Sequence, residues 1–299
     1  MLLAQRAIRD GLKAKVEAVV AEGKDEAVKE AGQEWLDTFS VGATNGAATD
    51  KLIAALEACG CDAAKEILTQ KDYLSKKSQW IFGGDGWAYD IGFGGVDHVL
   101  ASGRDINVMV FDTEVYSNTG GQSSKSTPTG AIAQFAAGGK ETKKKDMASI
   151  AMSYGYVYVA QISMGADFNQ TVKAIAEAEA YPGPSLIIAY APCINHGIKK
   201  GMAKAQTEEE LAVKAGYWHC FRYNPAAKAE GKDAFTLDSK APTGEYQEFL
   251  NGEVRYNSLM RSNPEKAKKL FAKNEAEAKA RYEYLNKLIT LYGANKTEE

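Results

Sequence analysis

Two short polar segments carry the residue types that hold a metal ion together with a phosphate group. One is the tripeptide Gly-Asp-Gly at 84–86, and the other is DTEVYSN at 112–118. The Asp85 carboxylate is a hard oxygen ligand of the kind that Mg²⁺ takes, with phosphate and water completing its octahedron. The Thr113 hydroxyl and a backbone carbonyl of the second segment can add two more oxygens. This pattern predicts a site for a diphosphate and its metal ion.

Each polar segment follows a short apolar run, at 80–82 and at 106–111, and a segment of helical length lies between them. This arrangement predicts a βαβ unit with two parallel strands. Both loops then lie at the carboxyl ends of strands, where open α/β sheets bind ligands. The glycines allow a ligand close to main-chain N–H groups, and the following helix would present its N-terminus to the anion.

Further apolar runs at 156–162 and 185–191 alternate with predicted helices at 146–154 and 167–180. Such alternation predicts an α/β fold with a doubly wound, mostly parallel sheet. Extra helices are predicted at both ends of the chain. We therefore expect one cofactor domain over 1–299, with an α/β core at about 78–200 and a helical C-terminal extension at 201–299.

The predicted ends are mostly helical. An amphipathic helix begins at Met1, and the helix-rich segment that follows has a glycine- and threonine-bearing break at 41–49. Later elements are an edge strand at 217–223, a helix opened by a capping box at 207–210, and a long charged helix from Asn263-Pro264 to about Leu291.

Composition narrows the class of protein. The 299 residues are 45% hydrophobic and 25% charged, as in globular proteins, and the net charge of −3 argues against nucleic acid or an anionic membrane as partner. No apolar run reaches the roughly 20 residues of a membrane span, and a secretory signal is not expected, because Arg6, Arg9 and Asp10 precede any long apolar segment. Four cysteines in this length do not make a disulfide scaffold, which favours the cytoplasm.

The motif GDGW, followed about thirty residues on by DTEVYSNTGGQ, resembles the thiamine diphosphate motif of the pyruvate:ferredoxin (flavodoxin) oxidoreductases. The resemblance extends through YAPCINHG at 190–197 and, more loosely, over most of the chain. Thr113 stands where many thiamine enzymes have a metal-binding Asn, which is the variant of the 2-oxoacid:ferredoxin group.

The resemblance implies a set of site residues. Mg²⁺ would be held by Asp85, Thr113 and the Val115 carbonyl, and Asn118 would form a hydrogen bond at the reacting end of the cofactor. Cys193 would be the fourth thiolate of a [4Fe–4S] cluster whose other ligands lie outside this chain. The full set expected to contact the cofactor is Gly84, Asp85, Gly86, Trp87, Thr113, Glu114, Val115, Tyr116, Ser117 and Asn118.

The activity that the resemblance implies is oxidative decarboxylation of pyruvate to acetyl-CoA and CO₂. Thiamine diphosphate would carry the chemistry, [4Fe–4S] clusters would pass electrons to ferredoxin or flavodoxin, and coenzyme A would take the acetyl group. The family also uses a glutamate on a second domain and ferredoxin-like cysteine motifs, and neither is found in this sequence. We therefore expect a C-terminal piece of a longer, homodimeric oxidoreductase, or a subunit that needs partners, inactive by itself.

Other interpretations of these residues stay open. Asn118 could be only a turn residue, and Cys193 only a small buried hydrophobe. The chain could be a non-catalytic thiamine-fold subunit or scaffold. A nicotinamide-dependent dehydrogenase is disfavoured because Tyr89 occupies the third glycine position of GxGxxG. The sequence distinguishes neither the 2-oxoacid nor ferredoxin from flavodoxin.

The remaining cysteines, histidines and lysines have simpler interpretations. Cys59 and Cys61 are expected to be structural, and Cys220 to lie in the core. His98 and His219 are expected to be packing residues, whereas His196 is the one histidine expected near chemistry. The run Lys143–Lys145 is interpreted as a solvated face, with contact to phosphate or an acidic partner such as ferredoxin as the alternative.

Overall fold

The computed structural model describes residues 1–294, and the chain divides into two compact units, Met1–Gln79 and Trp80–Glu299. The first unit is helical. Its helices are α1 (Leu2–Glu22), α2 (Glu26–Asp37), α3 (Gly42–Cys59) and α4 (Asp62–Leu68). They enclose a core that includes Leu12, Val16, Trp35, Leu52 and Leu56.

The first unit corrects one prediction. The expected break at 41–49 is wrong, because α3 begins at Gly42 and continues through the glycine- and threonine-bearing segment. The buried Asn45 side chain accepts hydrogen bonds from the Lys76 N–H, at 2.6 Å, and from Arg9 Nη2, at 3.2 Å. Tertiary hydrogen bonds therefore hold a helix that propensity alone disfavours.

The second unit is built on a six-stranded sheet of order β1-β2-β4-β3-β5-β6. The pairs β1–β2, β2–β4 and β3–β4 are parallel, whereas β5 pairs antiparallel with both β3 and β6. The strands are β1 (Trp80–Gly84), β2 (Ile106–Asp112), β3 (Tyr158–Ile162), β4 (Pro184–Tyr190), β5 (Phe221–Tyr223) and β6 (Phe235–Leu237). The predicted α/β class with a mostly parallel sheet is confirmed.

Helices cover both faces of the sheet. Along β2, Val108 and Val110 enter the larger core with α5, α6 and α11, while Met109 faces the opposite side with α7. The helices of this unit are α5 (Phe93–Ala101), α6 (Met147–Met152), α7 (Phe168–Ala180), α8 (Ala205–Ala215), α9 (Tyr246–Asn251), α10 (Val254–Ser262) and α11 (Pro264–Leu291). Burial on both faces explains why the central strands are almost continuously apolar.

The segment after residue 200 contributes β5 and β6 to the sheet as well as helices. The strand predicted at 217–223 exists as the shorter β5, but it is not at the edge, because β6 pairs beyond it. The predicted capping box is wrong: α8 begins at Ala205, and its N-cap Lys204 makes no side-chain cap. The long helix is confirmed, with the Asn263 side chain accepting the Lys266 N–H at 3.1 Å. The extent of the cofactor domain stays a prediction, and residues 295–299 lie outside the described residues.

Over residues 1–294, no helix combines the length and the apolar character needed to cross a membrane.

Candidate metal centre

The two polar segments lie side by side at the carboxyl edge of the sheet. Gly84 at the end of β1 pairs with Phe111 near the end of β2. After the fully buried Asp85, the chain forms a single π-helical turn, in which the Gly92 N–H donates to the Trp87 carbonyl at 2.7 Å, and α5 follows. π-helical turns are rare in proteins, but those that occur are often found at functional sites. The expected regular helix N-terminus at the glycine turn is therefore replaced by a wider turn.

Three oxygens from the two segments lie close together, namely Asp85 Oδ1, Thr113 Oγ1 and the Val115 carbonyl oxygen. Thr113 Oγ1 lies 2.9 Å from Asp85 Oδ1 and 2.9 Å from the Val115 carbonyl oxygen. The Thr113 N–H also donates to Asp85 Oδ1, at 3.2 Å. We call Asp85, Thr113 and Val115 the oxygen triad. A hydroxyl has one proton, so the Thr113 hydroxyl can donate to only one of its two neighbours at a time.

The spacing within the oxygen triad fits a small octahedral cation. Ligand oxygens at about 2.1 Å from Mg²⁺ have nearest neighbours about 3 Å apart. Both contacts of Thr113 Oγ1 have this length. Within residues 1–294, no cluster of three or more His, Cys, Asp or Glu side chains could hold a metal. A metal bound here would therefore depend on one carboxylate plus hydroxyl and carbonyl oxygens, as the sequence predicts.

Without a cation, the surroundings of Asp85 disfavour the ionised form of its carboxyl group. Burial, and then the nearby Asp112 charge, raise its pKa to about 7. Hydrogen bonds from Ser124 Oγ to Asp85 Oδ2, at 2.6 Å, and from Thr113 only partly offset these effects. A divalent ion on this carboxylate would reverse the balance, since an adjacent positive charge favours the ionised form.

The side chains on either side of Thr113, Asp112 and Glu114, belong to a second buried group. Lys144 Nζ lies 2.8 Å from Asp112 Oδ2 and 2.8 Å from Glu114 Oε1. Arg255 Nη1 lies 2.8 Å from Glu114 Oε2, and Arg255 Nε donates to Glu253 Oε2 at 2.6 Å. We call this group the Glu114 cluster; its members are Asp112, Glu114, Lys144, Tyr217, Glu253 and Arg255.

Within the Glu114 cluster, the Glu114 and Lys144 side chains remain ionised in spite of their burial. Burial alone would raise the pKa of Glu114, but the Lys144 and Arg255 charges outweigh it and lower that pKa to about 2. Burial alone would lower the pKa of Lys144, but Asp112 and Glu114 raise it. The Glu114 side chain is therefore committed to the protein interior, so any contact with a cofactor must come from its backbone.

One prediction about this part of the chain is wrong. Lys144 is not part of a solvated face, because its ammonium group bridges two buried carboxylates. The segment after residue 200 also supplies Tyr217, Glu253 and Arg255 to the cluster, which the sequence did not indicate. No local spacing marks these residues, since the topology alone brings them to the loop after β2.

The two groups together carry an excess of negative charge. When all are ionised, their side chains comprise four carboxylates, one ammonium and one guanidinium. The carboxylates therefore outnumber the cations by two, and burial raises the pKa of two of them, Asp85 and Glu253, to about 7. A divalent cation at the oxygen triad would lie against the Asp85 carboxylate and favour its ionised form, so the residues present fit the metal that the sequence predicts.

The loop at 116–122 closes over the glycine turn. The Tyr116 N–H donates to the Gln122 carbonyl at 2.9 Å, and the Gly121 N–H donates to the Tyr116 carbonyl at 3.0 Å. A Cβ at Gly86 would come within 2.5 Å of the Tyr116 ring, so glycine is required there. Ser117 is half-buried and Asn118 is exposed at the loop tip, accessible to a ligand. Trp87 packs on the neighbouring glycines, and a Cβ at Gly83 would come within 2.2 Å of its ring.

The loop after β4 lies against this tip. A Cβ at Gly121 would come within 2.7 Å of Asn195 Oδ1. The Cys193 N–H donates to His196 Nδ1 at 3.0 Å, and His196 Nε2 lies 3.9 Å from Glu114 Oε2. Burial, and then the Arg255 charge, lower the pKa of His196 well below its usual range. The structure thus places the predicted cysteine and histidine next to the loop that carries Asn118.

The other cysteines and histidines lie elsewhere. Cys220 and His219 are buried, as expected of core residues. His98 is exposed on α5, so its predicted packing role is wrong. Cys59 and Cys61, like Cys193 and Cys220, are free thiols, and their role stays a prediction.

Comparison with known proteins agrees with this geometry. The family model described as the C-terminal TPP binding domain of thiamine pyrophosphate enzymes matches residues 54–189. The chain is 53% identical over 290 residues to pyruvate-flavodoxin oxidoreductase of Klebsiella pneumoniae, covering 96% of this chain and 25% of that protein. It is 65% identical over 227 residues to pyruvate:ferredoxin oxidoreductase of Moorella thermoacetica, covering 76% and 19%.

A third relative is the mitochondrial NADP(+) pyruvate dehydrogenase of Euglena gracilis, 46% identical over 284 residues, with 94% of this chain and 16% of that protein covered. The chain thus spans a quarter or less of the length of these relatives. The predicted resemblance is confirmed. The chain is homologous to one segment of the pyruvate-flavodoxin and pyruvate:ferredoxin oxidoreductases, and its residues 54–189 match the thiamine pyrophosphate-binding domain.

Proposed function

We propose that this chain binds the diphosphate of thiamine diphosphate through a Mg²⁺ ion held by the oxygen triad. The observation that carries the proposal is the pair of 2.9 Å contacts that Thr113 Oγ1 makes with one carboxylate and one carbonyl oxygen. Those contacts have the spacing of neighbouring ligands in an octahedral site. The excess of carboxylates over cations among the surrounding side chains, with the pKa of Asp85 raised by burial to about 7, favours a divalent cation at the same place.

We propose that the other predicted residues contact the same cofactor. Gly84 and Gly86 border the carboxylate and leave room for phosphate oxygens near the main chain. The backbone of 114–117 and the face of Trp87 complete the proposed cradle. Asn118, exposed at the loop tip, is proposed to donate a hydrogen bond to the 2-oxoacid. The side chain of Glu114 is excluded from direct contact, since it is only 1% exposed.

We further propose that the chain takes part in oxidative decarboxylation of pyruvate to acetyl-CoA and CO₂. Bound thiamine diphosphate would supply stabilisation of the negative charge that forms when CO₂ leaves. This chain's part is to anchor the diphosphate and to exclude water beneath it. Coenzyme A would accept the acetyl group, ferredoxin or flavodoxin would take the electrons, and the complete enzyme would be a cytoplasmic homodimer.

The metal assignment is tested by calorimetry of thiamine diphosphate with the full chain in Mg²⁺. Asp85→Ala removes the only carboxylate of the oxygen triad, so we expect no measurable binding. Asp90→Ala is the matched control, because Asp90 pairs with the exposed Lys125 at 2.7 Å and lies outside the triad. Unchanged affinity in the Asp85 variant, or equal loss in both variants, would overturn the site.

Cys193 is proposed as one ligand of a [4Fe–4S] cluster, with the other three thiolates supplied from outside this chain. Its support is its place, half-exposed on a loop that touches the Asn118 loop through Asn195 and Gly121. In a complete enzyme, Cys193→Ser should make the nearest cluster labile while thiamine diphosphate binding persists. Unchanged iron content and paramagnetic resonance spectra would show that Cys193 is not a ligand.

We also propose that the 299-residue chain binds cofactor without turning over pyruvate. In the family, the glutamate that activates the cofactor lies on a second domain, which the matched segment does not supply. Anaerobic, pyruvate-dependent reduction of viologen measures this directly. Turnover on the order of 1 s⁻¹ or more by the purified chain would contradict the proposal.

A further inference from the structure

The backbone of Glu114 adopts an unusual conformation. Its φ of 60° lies in the left-handed region, which a residue with a Cβ disfavours. Among residues 1–294, Phe135, with φ of 66°, is the only other non-glycine residue with positive φ. Such conformations persist where the surroundings over-determine them, and they concentrate at functional sites. Phe135 is 93% exposed, whereas Glu114 is 1% exposed, so the two strained positions have very different surroundings.

Contacts on every side fix the Glu114 residue. Its Oε1 lies 2.8 Å from Lys144 Nζ, and its Oε2 lies 2.8 Å from Arg255 Nη1. The Tyr217 hydroxyl donates to Oε2 at 2.6 Å. The Glu114 carbonyl accepts the Thr127 hydroxyl at 2.5 Å. Both carboxylate oxygens and the following peptide group are therefore held in place.

The consequence appears at the neighbouring residues. While the Glu114 side chain lies in the buried cluster, the Thr113 hydroxyl and the Val115 carbonyl come together next to Asp85, 2.9 Å apart. An ordinary extended residue at position 114 would continue the alternation of β2 and carry the following carbonyl along the strand direction. The turn at 114 is thus what brings a backbone oxygen back toward Asp85.

We propose that Glu114 is a positioning residue whose buried ion pairs hold the left-handed turn that aims the Val115 carbonyl at the metal. The inference rests on the proposed metal site and adds a role for a side chain that touches neither metal nor cofactor. Residues that orient metal ligands typically change metal affinity by about 10-fold to 100-fold when they are removed.

The test uses Mn²⁺ in place of Mg²⁺, with the full chain and thiamine diphosphate. Glu114→Gly allows the positive φ without strain but removes the anchor. We expect its Mn²⁺ dissociation constant to rise at least about 10-fold. We also expect one additional bound water, counted by broadening of the Mn²⁺ resonance in ¹⁷O-labelled water, because the Val115 carbonyl leaves the metal. Phe135→Gly is the matched control and should change neither quantity.

A purely structural role would lower stability without changing the water count. Glu114→Gln, which keeps the side-chain length, should weaken Mn²⁺ binding less than the Gly variant and keep the water count of the unsubstituted chain. If the Gly variant does not fold, unchanged Mn²⁺ affinity in the Gln variant would overturn the proposal. Equal affinity and water count in the unsubstituted and Gly proteins would overturn it too. If the unsubstituted chain bound no Mn²⁺, the metal site and the role of Glu114 would both fail.

Discussion

The oxygen triad and the Glu114 cluster share the segment after β2, but their buried carboxylates have different partners. In the Glu114 cluster each carboxylate has a cation within 2.8 Å, and the pKa of Glu114 is lowered to about 2, although burial raises that of Glu253 to about 7. In the oxygen triad the only charge is Asp85, which has hydroxyl groups but no cation against it, and burial raises its pKa to about 7. A buried carboxylate without a cation is costly, so the cluster is paired within the protein, whereas we propose that a metal ion completes the oxygen triad.

The left-handed turn at Glu114, directly after β2, accompanies this difference. The Asp112 and Glu114 carboxylates contact Lys144, whereas the Thr113 hydroxyl and the Val115 carbonyl lie 2.9 Å apart next to Asp85. One short segment can therefore serve a structural charge network and a metal site at the same time. Substitutions in the Glu114 cluster and in the oxygen triad should therefore have different effects on stability.

The largest effect is expected from Lys144→Met. It leaves Asp112 and Glu114 buried without the ammonium group that bridges them, and breaking a buried ion pair in this way costs about 3–5 kcal/mol. Hydrogen exchange of the β2 and β4 amides reports the unfolding of the sheet itself. Exposed Lys143→Met is the control, and a loss below about 1 kcal/mol for Lys144→Met would show that the cluster contributes little.

Buried His219 should make stability depend on pH in a way that differs from both groups. Burial, and then the Arg281 charge, lower the pKa of His219 to about 4 from its usual 6.5. Between about pH 6.5 and pH 4, His219 is therefore protonated in the unfolded chain but neutral in the folded chain. The free energy of unfolding falls by about 2–3 kcal/mol as the pH drops through this range. His219→Phe should remove this part of the pH dependence. An unchanged profile in that variant would contradict the assignment.

The smallest change in stability is expected from Asp85→Asn in the absence of metal, and this change is a gain. Because the pKa of Asp85 is raised from its usual 3.8 to about 7, folding must take up a proton between these two pH values, and this destabilises the folded state increasingly up to about pH 7. The variant should therefore be more stable than the unsubstituted chain by about 1–2 kcal/mol at pH 8, and the gain should shrink below pH 7 and vanish only below about pH 4. A loss of stability at pH 8 would mean that Asp85 is already compensated within the protein.

The sequence predicted the part of this comparison that depends on local pattern. The apolar runs located β1 to β4 to within two residues at either end, and Asp85, Thr113 and Val115 followed from two short motifs. The Glu114 cluster could not be predicted, because Lys144 and Arg255 reach the loop only through the folding of distant segments. Tertiary contacts also decided the places where local signals failed, such as Asn45 in α3.

The inner position of β5 was equally beyond the sequence. A three-residue strand, Phe221–Tyr223, gives too short a pattern to show whether a further strand pairs beyond it. The π-helical turn after Asp85 has no propensity signal either, because it arises where Trp87 packs over the flanking glycines.

The most direct test is whether the stabilisation by thiamine diphosphate requires a divalent cation. Hydrogen exchange of the β2 and β4 amides is compared with the cofactor plus Mg²⁺ and with the cofactor plus a chelator. At a free cofactor concentration 100 times its dissociation constant, we predict about 2.7 kcal/mol of added stability with Mg²⁺. With the chelator we predict none. Equal stabilisation under both conditions, or none under either, would contradict a metal site at Asp85, Thr113 and Val115.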